Sequence, residues 1–424
     1  MARIILHSDA DAFYASVECL YHPELRDLPV AVCGDPAARH GIILAKNQQA
    51  KVYGVKTAEA IWQAKSKCPH LILLPAHQDL YAHYSRRLRK IYFDYTDRVE
   101  AYGLDENWLD VGGPRVSMDE GERIAHEIRR RVREGIGLTV SIGVSFNKVF
   151  AKLGSDANKP DGQTLYSPEN FKQQVWPLAV SKLLFVGAAT TKALTLMGVS
   201  TIGDLANIDP AILRERFGKN GDQLQRFALG LDDAPVMNAD AADEIKSIGN
   251  STTPPHDIAT MQDASRIFYM LADSVAARLR EAKMRAGCIS IGARTTDLTW
   301  GGCQTRLKPQ SALSNDLAQA AISLFDQKFR RSLPMRSLGL SCSSLTPNAA
   351  PLQMDIFGQT ERRERHHRLE YALDDIRERF GHDIITRGTV LADPAFAQLN
   401  MRADDSSQAI AFVMGNRGAR MLDG

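Results

Sequence analysis

Short apolar runs alternate with amphipathic stretches over the first 165 residues, a pattern typical of folds that mix strands and helices. Strands are predicted at 4–8, 29–34, 71–74 and 138–145, and helices at 13–18, 47–53, 58–67, 81–95, 119–134 and 148–157. Residues 99–111 predict a β-hairpin whose turn carries Asp105 and Glu106. Neither a GxGxxG motif nor a P-loop is present, so no Rossmann or Walker nucleotide site is indicated.

The second half of the chain changes pattern twice. Residues 168–232 show short helical periods only, and the polar stretch that follows has no period, which is typical of a linker between domains. Residues 246–346 then alternate strand and helix signals and predict a compact α+β module. A charged helix is predicted at 361–380, and the last residues have a weak pattern.

Composition is that of an ordinary globular protein, with 44% hydrophobic and 24% charged residues among 424, and the length predicts more than one domain. No apolar run reaches the roughly 18 residues that span a bilayer, and no long apolar signal segment precedes Asp9. The six cysteines lack CxxC spacing, which predicts free thiols in a reducing compartment. We therefore expect a cytoplasmic protein that does not associate with a membrane.

Charge is unevenly distributed. The whole chain carries a formal net charge of +2, but residues 246–346 contain four Lys and nine Arg against seven acids. A basic module beside a mildly acidic remainder favours a polyanion such as nucleic acid as the partner. Chance asymmetry remains an alternative at this point.

Acidic residues stand where predicted strands end. Asp9 ends the first strand, and Asp105 and Glu106 occupy the hairpin turn. If these strands are neighbours in one sheet, three carboxylates converge at one edge, where Mg²⁺ takes carboxylate oxygens together with substrate phosphates. Two such ions support in-line phosphoryl transfer. An isolated Asp-Glu pair in a turn is more often a turn feature than a ligand set.

Three motifs decide whether these acidic residues form a metal site or an ordinary turn. Residues 7–18 (HSDADAFYASVE), 104–110 (LDENWLD) and 140–162, which include VSIGVS and KPDG, resemble the conserved blocks of the Y-family (translesion) DNA polymerases. The resemblance extends over about residues 1–345 and includes the basic module. It implies a low-fidelity, template-directed DNA polymerase that extends a primer with dNTPs during DNA damage repair.

The resemblance also implies a fold and its division. The implied fold class is α+β multidomain, the right-hand polymerase architecture with palm, fingers, helical thumb and a small α+β little-finger domain. The implied domains are the palm at 1–11 and 76–165, the fingers at 12–75, the thumb with a helix-hairpin-helix at 166–232, a linker at 233–245, the little finger at 246–346 and a tail at 347–424.

By position in the motifs, the catalytic metal ligands fall on Asp9, Asp105 and Glu106, and on the backbone carbonyl of Ala10. The resemblance implies two Mg²⁺ ions at this site, for which Mn²⁺ can substitute. Tyr14 matches the steric gate, the aromatic ring that leaves no room for a ribose 2′-hydroxyl.

Substrate contacts are implied for Phe13, Ala45, Gln48, Lys51 and Lys159. The family usually has Tyr and Arg where this chain has Gln48 and Lys51. Lysine neutralises a phosphate as a point charge but not as a bidentate fork, so weak dNTP affinity is expected. Lys159 matches the palm lysine that contacts the triphosphate.

Contacts to primer–template DNA are implied at the helical hairpin and in the little finger, namely at Gly187, Thr190, Lys246, Arg294 and Arg336. The hairpin lacks the first glycine of the usual Gly-x-Gly, because Phe185 stands there. An ordinary helical hairpin is the alternative.

Gln353, Ile356 and Phe357 resemble a peptide that binds the bacterial sliding clamp, although a long segment follows it. A loop anchored by Phe357 on its own domain is the alternative. The protein is expected to act as a monomer. Two other functions compete: a catalytically silent DNA- and clamp-binding adaptor of the same fold, and a different palm-fold nucleotidyl enzyme such as a cyclase.

Overall fold

The computed structural model describes residues 3–34, 41–113, 116–238, 245–351, 359–381 and 384–392. The described chain divides into two compact units. One is formed by residues 3–34, 42–113 and 116–238, and the other by Gly41 and the described residues from 245 onward.

The first unit begins with a mixed α/β part. Its elements are β1 (Ile5–Ala10), α1 (Phe13–Tyr21), β2 (Val30–Cys33), β3 (Ile43–Lys46), α2 (Gln48–Val52), α3 (Ile61–Lys67), β4 (Ile72–Pro75), α4 (Gln78–Phe93), β5 (Val99–Ala101), β6 (Glu106–Asp110), α5 (Met118–Ile136), β7 (Val140–Ser145), α6 (Lys148–Ala157) and β8 (Gln163–Tyr166). Asn47, Ser117 and Asn147 start α2, α5 and α6, because each side chain accepts a backbone N–H of the first turn.

The main sheet of this unit has the strand order β5-β6-β1-β7-β8, and a smaller sheet has the order β3-β2-β4. β1 is antiparallel to both of its neighbours and buried along its whole length, because helices and strands cover both faces. Its central position explains why an uninterrupted buried segment stands near the start of the sequence.

Helices alone complete the first unit: α7 (Phe171–Gln174), α8 (Ala188–Leu196), α9 (Ile202–Asn207), α10 (Pro210–Phe217) and α11 (Lys219–Ala228). They pack around a core that includes Phe150, Phe171 and Phe227. Proline stands at the first position of α10, where the missing N–H costs nothing.

The second unit contains β9 (Ser247–Thr252), α12 (Met261–Glu281), β10 (Met284–Thr295), β11 (Trp300–Ser311), α13 (Ser314–Phe329), β12 (Met335–Pro347), α14 (Gln359–Phe380) and α15 (Gly388–Leu391). Its antiparallel sheet has the order β11-β10-β12-β9. One face of the sheet is covered by α12 and α13, whose rings Phe268 and Phe325 meet edge to face at 5.6 Å.

α14 packs on this unit through charged side chains. Arg280 of α12 is only 4% exposed and forms a bidentate pair with Asp374 at 2.6 and 2.8 Å. Glu370 also pairs with Arg280, and it accepts the backbone N–H of Ser314 at 2.9 Å at the start of α13. The predicted charged helix is therefore part of the second unit.

The structure corrects two of the predicted elements and adds two strands, β3 and β8. Glu106 is the first residue of β6 and only Asp105 stays in the turn. Within 168–232 the sequence pattern predicts a helix from Lys192 to Met197, but that helix, α8, begins at Ala188 with Gly187 as its N-cap. β8 was not predicted, because its four residues are too few and too polar for a strand signal; it is held by parallel pairing with β7.

All six cysteines are free thiols, as their spacing predicted. Within the described ranges, no helix combines the length and apolar character that crossing a membrane requires.

Candidate active site

Two neighbouring strands bring the predicted acidic residues to one edge of the main sheet. Asp9 in β1 is the direct cross-strand partner of Glu106 in β6. The backbone N–H of Ala10 donates to the carbonyl of Asp105 at 3.0 Å and ties the turn to the end of β1. The three acidic residues therefore lie side by side, as the hairpin pattern predicted.

Burial and mutual repulsion disturb the ionisation of these carboxyls. Burial raises the pKa of Asp9 to about 8, and repulsion from Glu106 adds to it while Lys159 opposes it. Burial followed by repulsion from Glu106 raises the pKa of Asp105 to about 6. Burial also acts to raise the pKa of Glu106, but contacts with His7 and Lys152 outweigh it and lower that pKa to about 2.

Two lysines neutralise this cluster in the structure. The Lys159 ammonium lies 2.6 Å from Asp9 Oδ2 and 2.9 Å from Asp156 Oδ1. Lys152, on α6, lies 2.6 Å from Glu106 Oε2. Lys159 was predicted as a triphosphate contact, whereas Lys152 was not predicted to belong to the site.

The donor set suits a hard divalent cation, because Mg²⁺ takes carboxylate and carbonyl oxygens. A cation would also stabilise Asp9 and Asp105, whose ionised forms are disfavoured. In the part of the chain that the structure describes, however, no three acidic, His or Cys side chains already surround a point where a metal ion could bind. Instead, Lys159 forms an ion pair with Asp9, and Lys152 forms one with Glu106. The residues fit a divalent cation when these ammonium groups move away.

His7 lies behind Glu106 and is completely buried. Its Nε2 is 3.4 Å from Glu106 Oε2, and burial lowers the pKa of His7 to about 4, so the imidazole is neutral. Its Nδ1 is 2.8 Å from the hydroxyl of Ser155, which itself donates to the Lys152 carbonyl at 2.8 Å.

Tyr14, the predicted steric gate, stands in the first turn of α1. Its ring stacks on Tyr81 of α4 at 4.1 Å and an interplanar angle of 9°. The Tyr81 hydroxyl donates to the buried carboxylate of Glu18, so the Tyr81 ring, on which Tyr14 stacks, is fixed at its hydroxyl end. Burial, with repulsion from Asp105, raises the pKa of Tyr14 to about 12. Phe13 is buried beside both rings.

The predicted substrate contacts on β3 and on the adjoining helix α2 differ in solvent exposure. Ala45 is half-buried on β3. Gln48 and Lys51 are exposed and three residues apart on α2, so they share one face of that short helix.

The predicted DNA contacts fall in both units. Gly187 is exposed at the start of α8, and Thr190 lies in the first turn of that helix. Phe185, which replaces the usual first glycine, has φ of 69°, a left-handed conformation that favours glycine.

In the second unit, Lys246 is exposed immediately before β9. Arg294 is half-buried, and its guanidinium lies 5.8 Å from the ring centre of Trp300. Arg336 is half-buried on β12. Gln353, Ile356 and Phe357 lie outside the described residues.

Comparison with known proteins gives the same family along the chain. The impB/mucB/samB family model matches residues 8–156, and the impB/mucB/samB family C-terminal domain matches residues 245–356. DNA polymerase IV of Acetivibrio thermocellus is 45% identical over 393 residues, which are 93% of this chain and 98% of that protein. The chain belongs to the Y-family DNA polymerases.

Other members of the family are also similar. DNA polymerase IV 1 of Bacillus subtilis is 35% identical over 92% of this chain and 94% of that protein. The Y-family DNA polymerase chimera Dbh-Dpo4(243-245)-Dbh has a TM-score of 0.71 at 22% identity and covers 81% of this chain and 100% of its own. DinB from Sulfolobus solfataricus has a TM-score of 0.53 at 21% identity, over 80% of this chain and 98% of its own. These neighbours confirm the predicted fold class.

Sequence reasoning missed several residues of the family site. Lys152, His7 and Ser155 contact Glu106 or one another, and Tyr81 supports Tyr14. The available signals were the position of Lys152 on the same face of α6 as Ser155 and the placement of His7 two residues before Asp9. Neither signal identifies a partner without the fold.

Proposed function

We propose that this protein is a DNA-directed DNA polymerase that extends a primer with dNTPs by phosphoryl transfer and copies damaged templates with low fidelity. The observation that carries the proposal is the register of β1 and β6, which aligns Asp9 with Glu106 and ties Asp105 to Ala10. Clustered carboxylates of this kind provide the oxygen ligands that metal-assisted phosphoryl transfer requires.

Asp9, Asp105, Glu106 and the carbonyl of Ala10 would hold two Mg²⁺ ions, with Mn²⁺ as a substitute. When bound, these ions supply positive charge to the attacking 3′-hydroxyl and to the leaving pyrophosphate. His7 is neutral and buried behind Glu106, so it does not compete as a cation with the metal ions for the Glu106 carboxylate.

The cations of the chain act on the phosphates. Lys159 now pairs with Asp9, and its ammonium group would transfer to the triphosphate when that carboxylate gains another partner. Gln48 and Lys51 present one amide and one positive charge from the same face of α2. Because neither reproduces a phenol or a guanidinium fork, dNTP binding should be weak.

Tyr14 would select the sugar. Its ring is held from below by Tyr81, whose hydroxyl is fixed on Glu18, so the ring cannot withdraw easily from a 2′-hydroxyl. Phe13 and Ala45 complete the pocket in this proposal. Rigid support is what a steric filter requires, because a ring that yields does not discriminate.

DNA would be held mainly through its phosphates, because the template strand itself carries the sequence instruction. The contacts proposed for this are Gly187 and Thr190 at α8, and Lys246, Arg294 and Arg336 in the second unit. Their binding should weaken with salt, with a slope of about 0.9 per phosphate neutralised.

The remaining parts of the proposal concern organisation and partners. The palm would comprise 1–11 and 76–165, the fingers 12–75, the thumb 166–232 and the little finger 246–346. Gln353, Ile356 and Phe357 would bind a sliding clamp. The protein would work as a monomer in the cytoplasm.

Primer extension on undamaged and abasic templates tests the proposal. Wild type should extend both with Mg²⁺, and Asp105→Asn should be slower by at least about three orders of magnitude, at about 1.4 kcal/mol per decade. Asp97→Asn, an exposed acid outside the site, is the matched control and should retain wild-type activity. A wild-type protein that binds primer–template DNA but extends nothing would favour the adaptor, and turnover without DNA would favour the cyclase.

A further inference from the structure

Asp11 is a buried acid that the catalytic proposal does not use. It stands two residues after Asp9, at the end of β1, and is only 7% exposed. Its Oδ1 accepts the Ser141 hydroxyl at 2.8 Å, and its Oδ2 accepts the backbone N–H of Asp161 at 2.8 Å. Both oxygens are therefore directed at β7 and at the loop that follows α6.

That loop, residues 158–162, is tightly folded against β7. The Gly162 N–H donates to Ser141 Oγ at 3.2 Å, and the Gly162 carbonyl accepts the N–H of Ile142 at 3.0 Å. A Cβ on Gly162 would lie 1.5 Å from the carbonyl oxygen of Asn158, so only glycine allows the chain to close here. Asp161 itself has φ of 49°, a left-handed conformation that needs support from outside the loop.

A second anchor holds the loop from its outer side. The carboxylate of Asp161 lies 3.0 Å from Arg129 and 2.6 Å from Arg133, both on α5. Lys159 stands two residues before the anchored Asp161, and its ammonium lies 2.6 Å from Asp9 Oδ2. A lysine side chain is a flexible stem that ends in a point charge, so its reach is set largely by the backbone from which it starts.

We propose that Asp11 is a positioning residue that fixes the 158–162 loop and thereby sets where Lys159 delivers its charge to the triphosphate. The proposal rests on the role of Lys159 in the proposed function. Asp11 touches neither substrate nor metal in this scheme. Its carboxylate accepts the N–H of Asp161, two residues after Lys159, and the hydroxyl of Ser141, which itself accepts the N–H of Gly162. These bonds fix the end of the loop relative to Asp9, and misplacement of a charge by about 1 Å costs much of its effect.

The test measures the dissociation constant of the correct dNTP on a complex of full-length protein, Mg²⁺ and a primer ended by a dideoxynucleotide. Asp11→Ala should weaken dNTP binding about tenfold, with the affinity for DNA unchanged. Asp11→Asn should recover most of this loss, because its amide oxygen accepts from Asp161 and its NH₂ donates to Ser141. Arg129→Gln, which releases the outer anchor, should weaken dNTP binding in the same direction and serves if Asp11→Ala folds poorly.

A double-mutant cycle separates positioning from general destabilisation. Lys159→Ala alone should weaken dNTP binding by at least about tenfold, and Asp11→Ala added to it should change little further, because both act through one ammonium group. Thr201→Ala, which removes the N-cap of α9, lowers stability without touching the loop and should leave dNTP binding unchanged. Additive losses, or wild-type binding by both Asp11→Ala and Arg129→Gln, would overturn the inference. Absence of primer extension by wild type would instead reject the proposed function.

Discussion

Gly143 lies where β7 and α6 come closest, and replacing it by alanine tests the packing beneath the candidate site. It sits in the middle of β7, paired with His7 on one side and Thr164 on the other. A Cβ there would lie 1.9 Å from the carbonyl oxygen of Ala151 and 2.5 Å from the amide nitrogen of Ser155. Both atoms belong to the backbone of α6, so no side-chain rotation relieves the contact.

The size of the effect follows from these distances. An ordinary contact to a Cβ is at least 3.4 Å, so α6 must move by about 1.5 Å or the strand must distort. Overpacking typically costs about 1–3 kcal/mol, and a clash with backbone belongs at or above the upper end. We expect Gly143→Ala to destabilise the first unit by at least about 3 kcal/mol, a fall in melting temperature of about 6–12 °C. α6 carries Lys152, so primer extension should fall as well.

Thermal unfolding of the full chain, followed by calorimetry, measures this effect. Gly135→Ala in α5 is the matched control, because no atom lies within 4 Å of the added Cβ. Alanine is the better helix former by about 0.5–1 kcal/mol, so this control should melt slightly higher than wild type. A Gly143→Ala protein that melts within about 1 °C of wild type would refute the close approach of α6 to β7.

Three further predictions address other parts of the molecule. Tyr14→Ala should raise ribonucleotide incorporation relative to dNTPs by at least about tenfold in single-nucleotide extension, while Tyr14→Phe should not; unchanged sugar selection in the alanine variant would remove Tyr14 from that role. Apparent Mg²⁺ affinity, measured by titration calorimetry, should rise about tenfold per pH unit between about pH 6 and 8. The reason is that burial raises the pKa of Asp9 to about 8 and Mg²⁺ binding must release that proton. An Mg²⁺ affinity that does not change with pH would contradict this. Asp374→Ala should lower the free energy of unfolding of the full chain, measured in denaturant, by about 2–3 kcal/mol, because the buried guanidinium of Arg280 loses one of its carboxylate partners. An unchanged free energy of unfolding would mean that this ion pair does not hold α14.

Local pattern was sufficient for most of the scaffold. β1 begins with two apolar residues and β7 alternates Val and Ile with small residues, which suits strands that are buried along their whole length. The amphipathic period of α5 continues over several turns. β8 escaped prediction because its pairing with β7, and not its own composition, makes it a strand. Likewise the start of α8 at Ala188 follows from the extended backbone of its N-cap, Gly187, which side-chain periodicity does not report.

The acidic residues of the site were identifiable from the sequence because they stand at strand ends inside recognisable motifs. Their electrostatic environment was not identifiable. Lys152 reaches Glu106 only because α6 packs on β1, and His7 reaches it only because β1 pairs with β6. Asp11 reaches Asp161 only because the loop returns beside β7.

By itself, then, the sequence determined most of the strands and helices, the acidic motifs and the family, since each depends on residues close together along the chain. Tertiary structure alone decided which lysine neutralises which carboxylate, which ring supports Tyr14 and which acid holds the loop of Lys159. The physical reason is that ion pairs, ring stacking and burial join residues from distant segments, and a short-range pattern carries no information about distances between segments that only folding brings together.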